Sequence, residues 1–369
     1  MPGTMQAVVN HGPRDYRLQE LPVPQPGPGE ALVQVEAVGI CASDLKCYHG
    51  AAKFWGDERR PAWAETGVVP GHEFVGRVVE LDEAAARRWR VDVGDRVTSE
   101  QIVPCWNCRF CRRGQYWMCA RNDVYGFKRR TQGAMAEYMI FPTDALVHRV
   151  SDQLPAAHAA FIEPLSCALY AVERARISFE DVVVVAGCGP IGLGMVAGAA
   201  AKSPAQVIAL DRFDAKLALA KQCGATLTLS IARDDVIAAV REVTDGYGAD
   251  VYLDGSGHPS AVAQGLQLLR KLGTFVEYGV FGSQVSADWT TIGNDKQVDV
   301  LGAHLGPHCW PAAARMLDSG RLPLPEIVTH QLQLSDFQHG LDLVADGSTS
   351  IKVSLLPGNL QNGDHGQDQ

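Results

Sequence analysis

Along the first 150 residues, apolar and polar positions alternate in short runs. "ALVQVEAVGI" (31–40), "EFVGRVVEL" (73–81) and "GDRVTSE" (94–100) are β-branched segments bounded by Gly, Pro and Asp, and they predict strands. "LPVPQPGPGE" (21–30) predicts a surface connection, because its prolines bring no N–H to a helix or a central strand. Near residue 155 the pattern changes. "PAAHAAFIEPLSCALYAVERARI" is rich in Ala and Leu and predicts helix. From 181 to 301, the apolar runs "VVVVAG", "QVIALD", "ATLTLS", "VYLDGSG", "TFVEYGVFG" and "QVDVLGAH" are separated by helical stretches such as "RFDAKLALAKQCG" and "SAVAQGLQLLRKLG". Strand and helix in alternation predict a parallel sheet covered on both faces, an α/β fold. Residues 306–355 are mixed, and the polar tail 356–369 is expected to be disordered.

A chain of 369 residues is too long for one ordinary core, so two domains are expected. A net charge of -9 argues against a nonspecific grip on a phosphate backbone, although Arg109, Arg112 and Arg113 form a local basic patch. Val182–Ala201 carries no charge over twenty residues, the length of a membrane span. Five glycines and Pro190 divide its valine run from its alanine run, and strand–turn–helix is the better reading. "MPGTMQAVVN" lacks the charged and apolar blocks of a signal peptide. A cytoplasmic protein follows as the expectation, with its ten cysteines as thiols and metal ligands before disulfides.

Three patterns carry chemistry. In "VVVVAGCGPIGLG", Gly187-x-Gly189-x-x-Gly192 follows a valine strand and opens a helix at Pro190 and Ile191. Gly187 permits a tight turn, Gly189 lets the backbone approach a pyrophosphate, and Gly192 allows close helix–strand packing. Asp211 ends "QVIALD" nineteen residues later, where a carboxylate binds ribose hydroxyls and repels a 2′-phosphate. NAD is therefore preferred to NADP, with Arg212 next door as the residue that would accept that phosphate.

The second pattern is Cys105-x2-Cys108-x2-Cys111-x7-Cys119. Four thiolates so spaced suit a tetrahedral zinc with no open position, a structural site. Paired disulfides, redox cysteines and a nucleic-acid finger are the alternatives. The third pattern is dispersed: Cys41 in "GICASDLK", His72 and Glu73 in "PGHEFVG", and Glu163 in "FIEPLSCALY". Each alone reads as a core or helix-end residue. Together, Cys41, His72 and Glu163 offer three zinc ligands and leave one position open for Lewis-acid chemistry.

"GICASDLK", "PGHEFVG", "GDRV", the four-cysteine stretch, "EPLSCALY" and "GCGPIG" occur in the order found in the zinc-dependent medium-chain dehydrogenase/reductase family. The chain resembles that family from Met5 to about residue 355. The resemblance implies a GroES-like, partly open β-barrel catalytic domain built from residues 1–155 and 306–355, around a Rossmann domain at 156–305, with the active site in the cleft between them. Glu163 resembles the polyol (sorbitol-like) dehydrogenase branch, in which Glu replaces a Cys ligand. "SDLKCYHG", "KFWG" and "EQIVPCWNCRFCRRGQYWMC" are similar to bacterial dehydrogenases of short polyols of the erythritol and L-threitol type.

This resemblance implies NAD, one catalytic and one structural zinc per chain, a small polyol substrate, no nucleic-acid or membrane partner, and a homodimer or homotetramer. It gives Ser43 the substrate proton and places Lys46 where the family often has histidine, with His49 or water as other ends of the relay. Glu73 supports the metal or visits its coordination shell, Lys216 lies near the adenosine or is a solvated helix residue, and the backbones of 278–282 and 303–306 approach the nicotinamide. Phe54, Trp55 and Tyr48 are pocket walls or packing residues. The competing readings are a dehydrogenase of another secondary alcohol or a larger sugar alcohol such as sorbitol, and a noncatalytic zinc-bearing dinucleotide sensor or nucleic-acid-binding protein.

Overall fold

A computed structural model describes residues 2–358, and most of the tail expected to be disordered lies outside the described residues. Leu356, the first residue of that expected tail, instead closes a buried strand, Val353–Leu356. The chain forms two compact units, one from both chain ends (to Phe161 and from Val328) and one from Ile162–Ile327. The second unit continues 22 residues past the expected return at 305. The cause is the helix Trp310–Asp318, whose Trp310, Ala313 and Leu317 share one buried face and pack on the helix Ile162–Ala175. At the other boundary, the expected helical run 155–177 divides into Ala156–Ala159 and Ile162–Ala175.

In the first unit, the strands Ala31–Ile40 and Glu73–Leu81 match their predicted segments and pair antiparallel. They belong to a seven-stranded sheet. Its main path runs His330–Gln333, Val353–Leu356, Ala31–Ile40, Glu73–Leu81, Arg96–Ser99 and Val147–Arg149, and Tyr138–Phe141 pairs separately with Ala31–Ile40. Inward-facing Val33, Val35, Val38, Phe74 and Val78 join Val353 and Leu355 in one core. Because Val353 pairs with Ile40, the late return of the chain brings Lys352 beside residues near position 40.

In the second unit, six parallel strands take the order Leu227–Ser230, Gln206–Asp211, Val182–Ala186, Ala249–Asp254, Leu269–Glu277 and Asp299–Gly302. Counted within the unit this is 3-2-1-4-5-6, the doubly wound order of dinucleotide-binding sheets. Every residue of Val182–Ala186 is buried, as helices on both faces require. Burying each valine contributes about 1.5–3 kcal/mol. The predicted helix 260–273 stops at Leu268, where the Lys296 ammonium caps the carbonyls of Leu266, Gln267 and Leu269 and the chain turns into strand. Val182–Ala201 is a strand, a turn and the helix Pro190–Ala201. Among the described residues, no helix is long and apolar enough to cross a membrane.

Candidate active site

Cys41 ends the run of Ala31–Ile40 and caps the short helix Ala42–Tyr48. The cap fixes a cluster of polar atoms. The Cys41 N–H donates to Asp44 Oδ2 at 2.9 Å, and the Ser43 N–H donates to Cys41 Sγ at 3.5 Å. Asp44 Oδ1 lies 3.3 Å from Nδ1 of buried His72, which directs the imidazole's Nε2 to the other side, 3.4 Å from Ser43 Oγ. Metal-bound histidines characteristically give their second nitrogen to a carboxylate in this manner.

Burial alone would push His72 below the ordinary histidine range, but the Asp44 carboxylate, with help from Cys41, holds it well above. The environment therefore favours positive charge at this point. Ligand atoms of Cys41, His72 and Glu73 all lie within 4.8 Å of one another. Thiolate, imidazole and carboxylate under a negative local field fit a divalent cation such as zinc. Glu73 is already engaged: its Oε2 forms a buried ion pair with Lys352 Nζ, which also donates to the Ile40 carbonyl at 3.1 Å.

Glu163 lies in the other unit, buried in the first turn of Ile162–Ala175. One turn on, the Cys167 thiol donates to Glu163 Oε1 at 3.3 Å. Lys46 is half-buried. Burial pushes its ammonium pKa below the ordinary lysine value, with Cys41 pulling up and Lys53 pushing down. Among the aromatics, Phe54 is buried and stacks on Phe127, whose ring centre is 5.4 Å from that of His72. The Trp55 indole N–H donates to the Cys47 carbonyl, and the Tyr48 hydroxyl donates to Gln338. These three side chains have packing partners of their own.

The four cysteines 105, 108, 111 and 119 converge, with their sulfurs within 4.8 Å of one another, and all ten cysteines are free thiols. The Cys108 thiol is brought down to about 6 by the N–H groups of Ala120 and Cys111. The Asn107 N–H lowers Cys105. Burial and then the sulfurs of Cys108 and Cys119 push Cys111 up to about 12. Two sites favour thiolate and a third resists another negative charge, an arrangement that fits a dication at its centre.

In the second unit, Gly187 has φ +86°, a conformation that side chains disfavour. A Cβ on Gly192 would overlap the Gly187 carbonyl oxygen, while a Cβ on Gly189 would meet nothing within 4 Å. That open space lies at the N-terminus of Pro190–Ala201, which has no side-chain cap. The turn therefore fits a phosphate group. Asp211 receives the N–H groups of Cys188 (2.7 Å) and Phe213 (2.9 Å). The Arg212 guanidinium and the Lys216 ammonium both lie over the Phe213 ring, 4.4 and 5.0 Å from its centre.

A doubly wound sheet with this phosphate turn, and a cap that gathers soft and hard metal ligands, define a metal-dependent oxidoreductase that uses a dinucleotide. Residues 27–152 match the alcohol dehydrogenase GroES-like domain, and residues 190–319 match the zinc-binding dehydrogenase domain. The chain belongs to the zinc-dependent medium-chain dehydrogenase/reductase family. It is 70% identical over 357 residues to the erythritol/L-threitol dehydrogenase of Mycolicibacterium smegmatis, covering 97% of this chain and 99% of the relative. It is 35% identical to the L-threonine 3-dehydrogenase of Pyrococcus abyssi over 92% of this chain and 94% of that one. A zinc-binding dehydrogenase from Sinorhizobium meliloti, solved with NADP bound, has a TM-score of 0.85 at 28% identity, covering 96% of this chain and all of that one. Membership of a dehydrogenase family sets aside the noncatalytic sensor and nucleic-acid readings.

Asp44 and Lys352 complete the cluster around Cys41, His72 and Glu73 and are not singled out by the sequence. Asp44 carried a usable signal, an acid three residues after a helix-capping position within "CASD". Lys352 gave only a lone charge in the apolar run "IKVSLL".

Proposed function

We propose that this dehydrogenase oxidises a secondary hydroxyl of a short polyol, of the erythritol/L-threitol type, to a ketose with NAD as hydride acceptor. The observation that carries the reading is 70% identity over nearly the whole chain with an erythritol/L-threitol dehydrogenase. Cys41, His72 and Glu163 hold the catalytic zinc, and Cys105, Cys108, Cys111 and Cys119 hold the structural one, two ions per chain. When bound, zinc makes a neighbouring hydroxyl a far stronger acid, and the nicotinamide supplies the place for the hydride.

The chain's own residues orient the substrate and move the proton. Asp44 fixes the His72 ring, with Nδ1 toward its carboxylate. The Ser43 hydroxyl, beside His72 Nε2, takes the substrate proton. Lys46, whose ammonium pKa is lowered by burial, is the next group in the relay. Gly187, Gly189, Pro190, Ile191 and Gly192 receive the pyrophosphate. Asp211 receives the ribose hydroxyls and selects NAD by repelling a 2′-phosphate, with Lys216 near the adenosine and Arg212 held over Phe213. Glu73 supports the metal cap through Lys352. The protein works as a homodimer or homotetramer.

An NADH-release screen over C4 to C6 polyols with metal-replete protein tests the reading. The expected result is kcat/KM on erythritol or L-threitol at least about tenfold above that on sorbitol, the discrimination that a pocket of fixed length gives. A preference for sorbitol, or turnover of simple primary alcohols alone, contradicts it.

A further inference from the structure

At the C-terminal edge of the parallel sheet, Asp254 ends the central strand Ala249–Asp254 and is fully buried. Its carboxylate builds the next loop. Oδ1 accepts from the Ser256 N–H (2.8 Å), the Ser256 hydroxyl (2.6 Å) and the Gly257 N–H (3.2 Å). The Asp254 backbone carbonyl accepts from the N–H groups of Tyr278 (3.3 Å) and Gly279 (3.1 Å). One residue thus holds two of the loops that follow adjacent strands.

The loop built on Oδ1 touches the phosphate turn. The Gly255 N–H donates to the Ala186 carbonyl at 3.0 Å. Ser256 packs so closely on Gly187 that a Cβ there would lie 2.9 Å from the Ser256 Cβ. On its other side, Gly257 abuts Gly279 and Val280 with no room for a side chain at Gly279. The second carboxylate oxygen, Oδ2, is buried without a hydrogen-bond partner and lies against Gly279. A residue kept only to fill the core would not carry an unpartnered carboxylate oxygen. In open α/β sheets, ligands bind outside the carboxyl ends of the strands, which is where these three loops meet.

We propose that Asp254 is a positioning residue for the dinucleotide. It locks the Ser256–Gly257 loop between the phosphate turn at Gly187 and the loop at 278–280, and so sets the spacing between the part of the site that receives pyrophosphate and the part beyond it. It touches no reacting atom. The adenosine end, at Asp211 on a different strand, does not depend on it. This rests on the dinucleotide site of the family and not on the choice of polyol.

The test compares NADH and AMP binding to the zinc-loaded enzyme, by protein fluorescence and calorimetry. Asp254→Ala is expected to raise the NADH Kd and the KM for NAD about tenfold, from the loss of several buried hydrogen bonds. The AMP Kd stays within about twofold, and kcat at saturating NAD within about threefold. Asp254→Asn keeps an acceptor at Oδ1 and is expected to recover NADH binding to within about threefold of the parent. Ser256→Ala, which removes only the hydroxyl donor, serves if Asp254→Ala does not fold, and is expected to weaken NADH about threefold without weakening AMP. Unchanged NADH binding in folded Asp254→Ala or Ser256→Ala would overturn the proposal. So would equal weakening of AMP and NADH, which would mark a general loss of structure. If AMP alone fails, the Asp211 reading is at fault and the Asp254 proposal fails with it.

Discussion

His72→Ala is expected to lower kcat/KM by about 10⁴-fold or more and, on the two-ion reading proposed above, to leave one zinc per chain in the folded enzyme. The expectation follows from the geometry around the ring. Asp44 holds Nδ1 at 3.3 Å, and Ser43 stands 3.4 Å from Nε2. Removing the imidazole therefore takes away a proposed ligand and leaves Asp44 Oδ1 buried without its partner, while Oδ2 keeps the Cys41 N–H. The remaining cysteine and carboxylate are too few for a tight site. Cys108→Ser gives the converse pattern. It is also expected to leave one zinc per chain, but the loss falls on the separate cluster of Cys105, Cys108, Cys111 and Cys119. Its melting temperature falls by about 10 °C, while the folded fraction keeps its turnover. Metal analysis, thermal melts and steady-state kinetics on both variants separate the two ions. Two zincs in His72→Ala, or turnover within about tenfold of the parent, would contradict the assignment.

The second large effect is on stability. Lys352→Met is expected to destabilise the metal-free protein by about 3–5 kcal/mol, because Glu73 would then keep a buried charge with no counter-ion. Both partners are almost wholly enclosed, at 4% and 2% side-chain exposure, so water does not replace the lost amine. For a unit of this size the melting temperature falls by about 10 °C. The double variant Glu73→Gln/Lys352→Met removes both charges and is expected to recover most of that loss, since the penalty lies in the orphaned charge more than in the missing bond. Differential scanning calorimetry decides it. A single variant as stable as the parent, or a double variant no better than the single, would show that the pair does not brace Glu73.

The parallel sheet, and three strands of the other sheet, were legible in the sequence because they carry the period that burial demands. Ala31–Ile40 alternates, and Val182–Ala186 is apolar on both sides, as an internal parallel strand must be. The phosphate turn was legible for the same reason: Gly187 and Gly192 are needed for local backbone geometry. The convergence of the four cysteines follows from their closeness in sequence. What sequence could not supply is the set of contacts made across long separations. Lys352 meets Glu73 only because Val353 pairs with Ile40, a register fixed by the whole sheet. The cluster around Asp254 joins loops after three different strands, and nothing in "LDGSG" states that Ser256 faces Gly187. The return to the first unit lies beyond Ile327 because Trp310, Ala313 and Leu317 find their partner in the helix Ile162–Ala175, a packing choice that local pattern does not encode.

Anomalous X-ray diffraction at the zinc edge, from crystals of the zinc-loaded enzyme with NADH, reads most directly whether Cys41, His72 and Glu163 share one ion. The expected result is two zinc peaks per chain, one of them bonded to Cys41 Sγ at about 2.3 Å and to His72 Nε2 and a Glu163 carboxylate oxygen at about 2.0–2.2 Å. A single peak at the four cysteines, or a second zinc whose bonds do not include Glu163, would contradict the shared site and with it the reaction assigned to this chain.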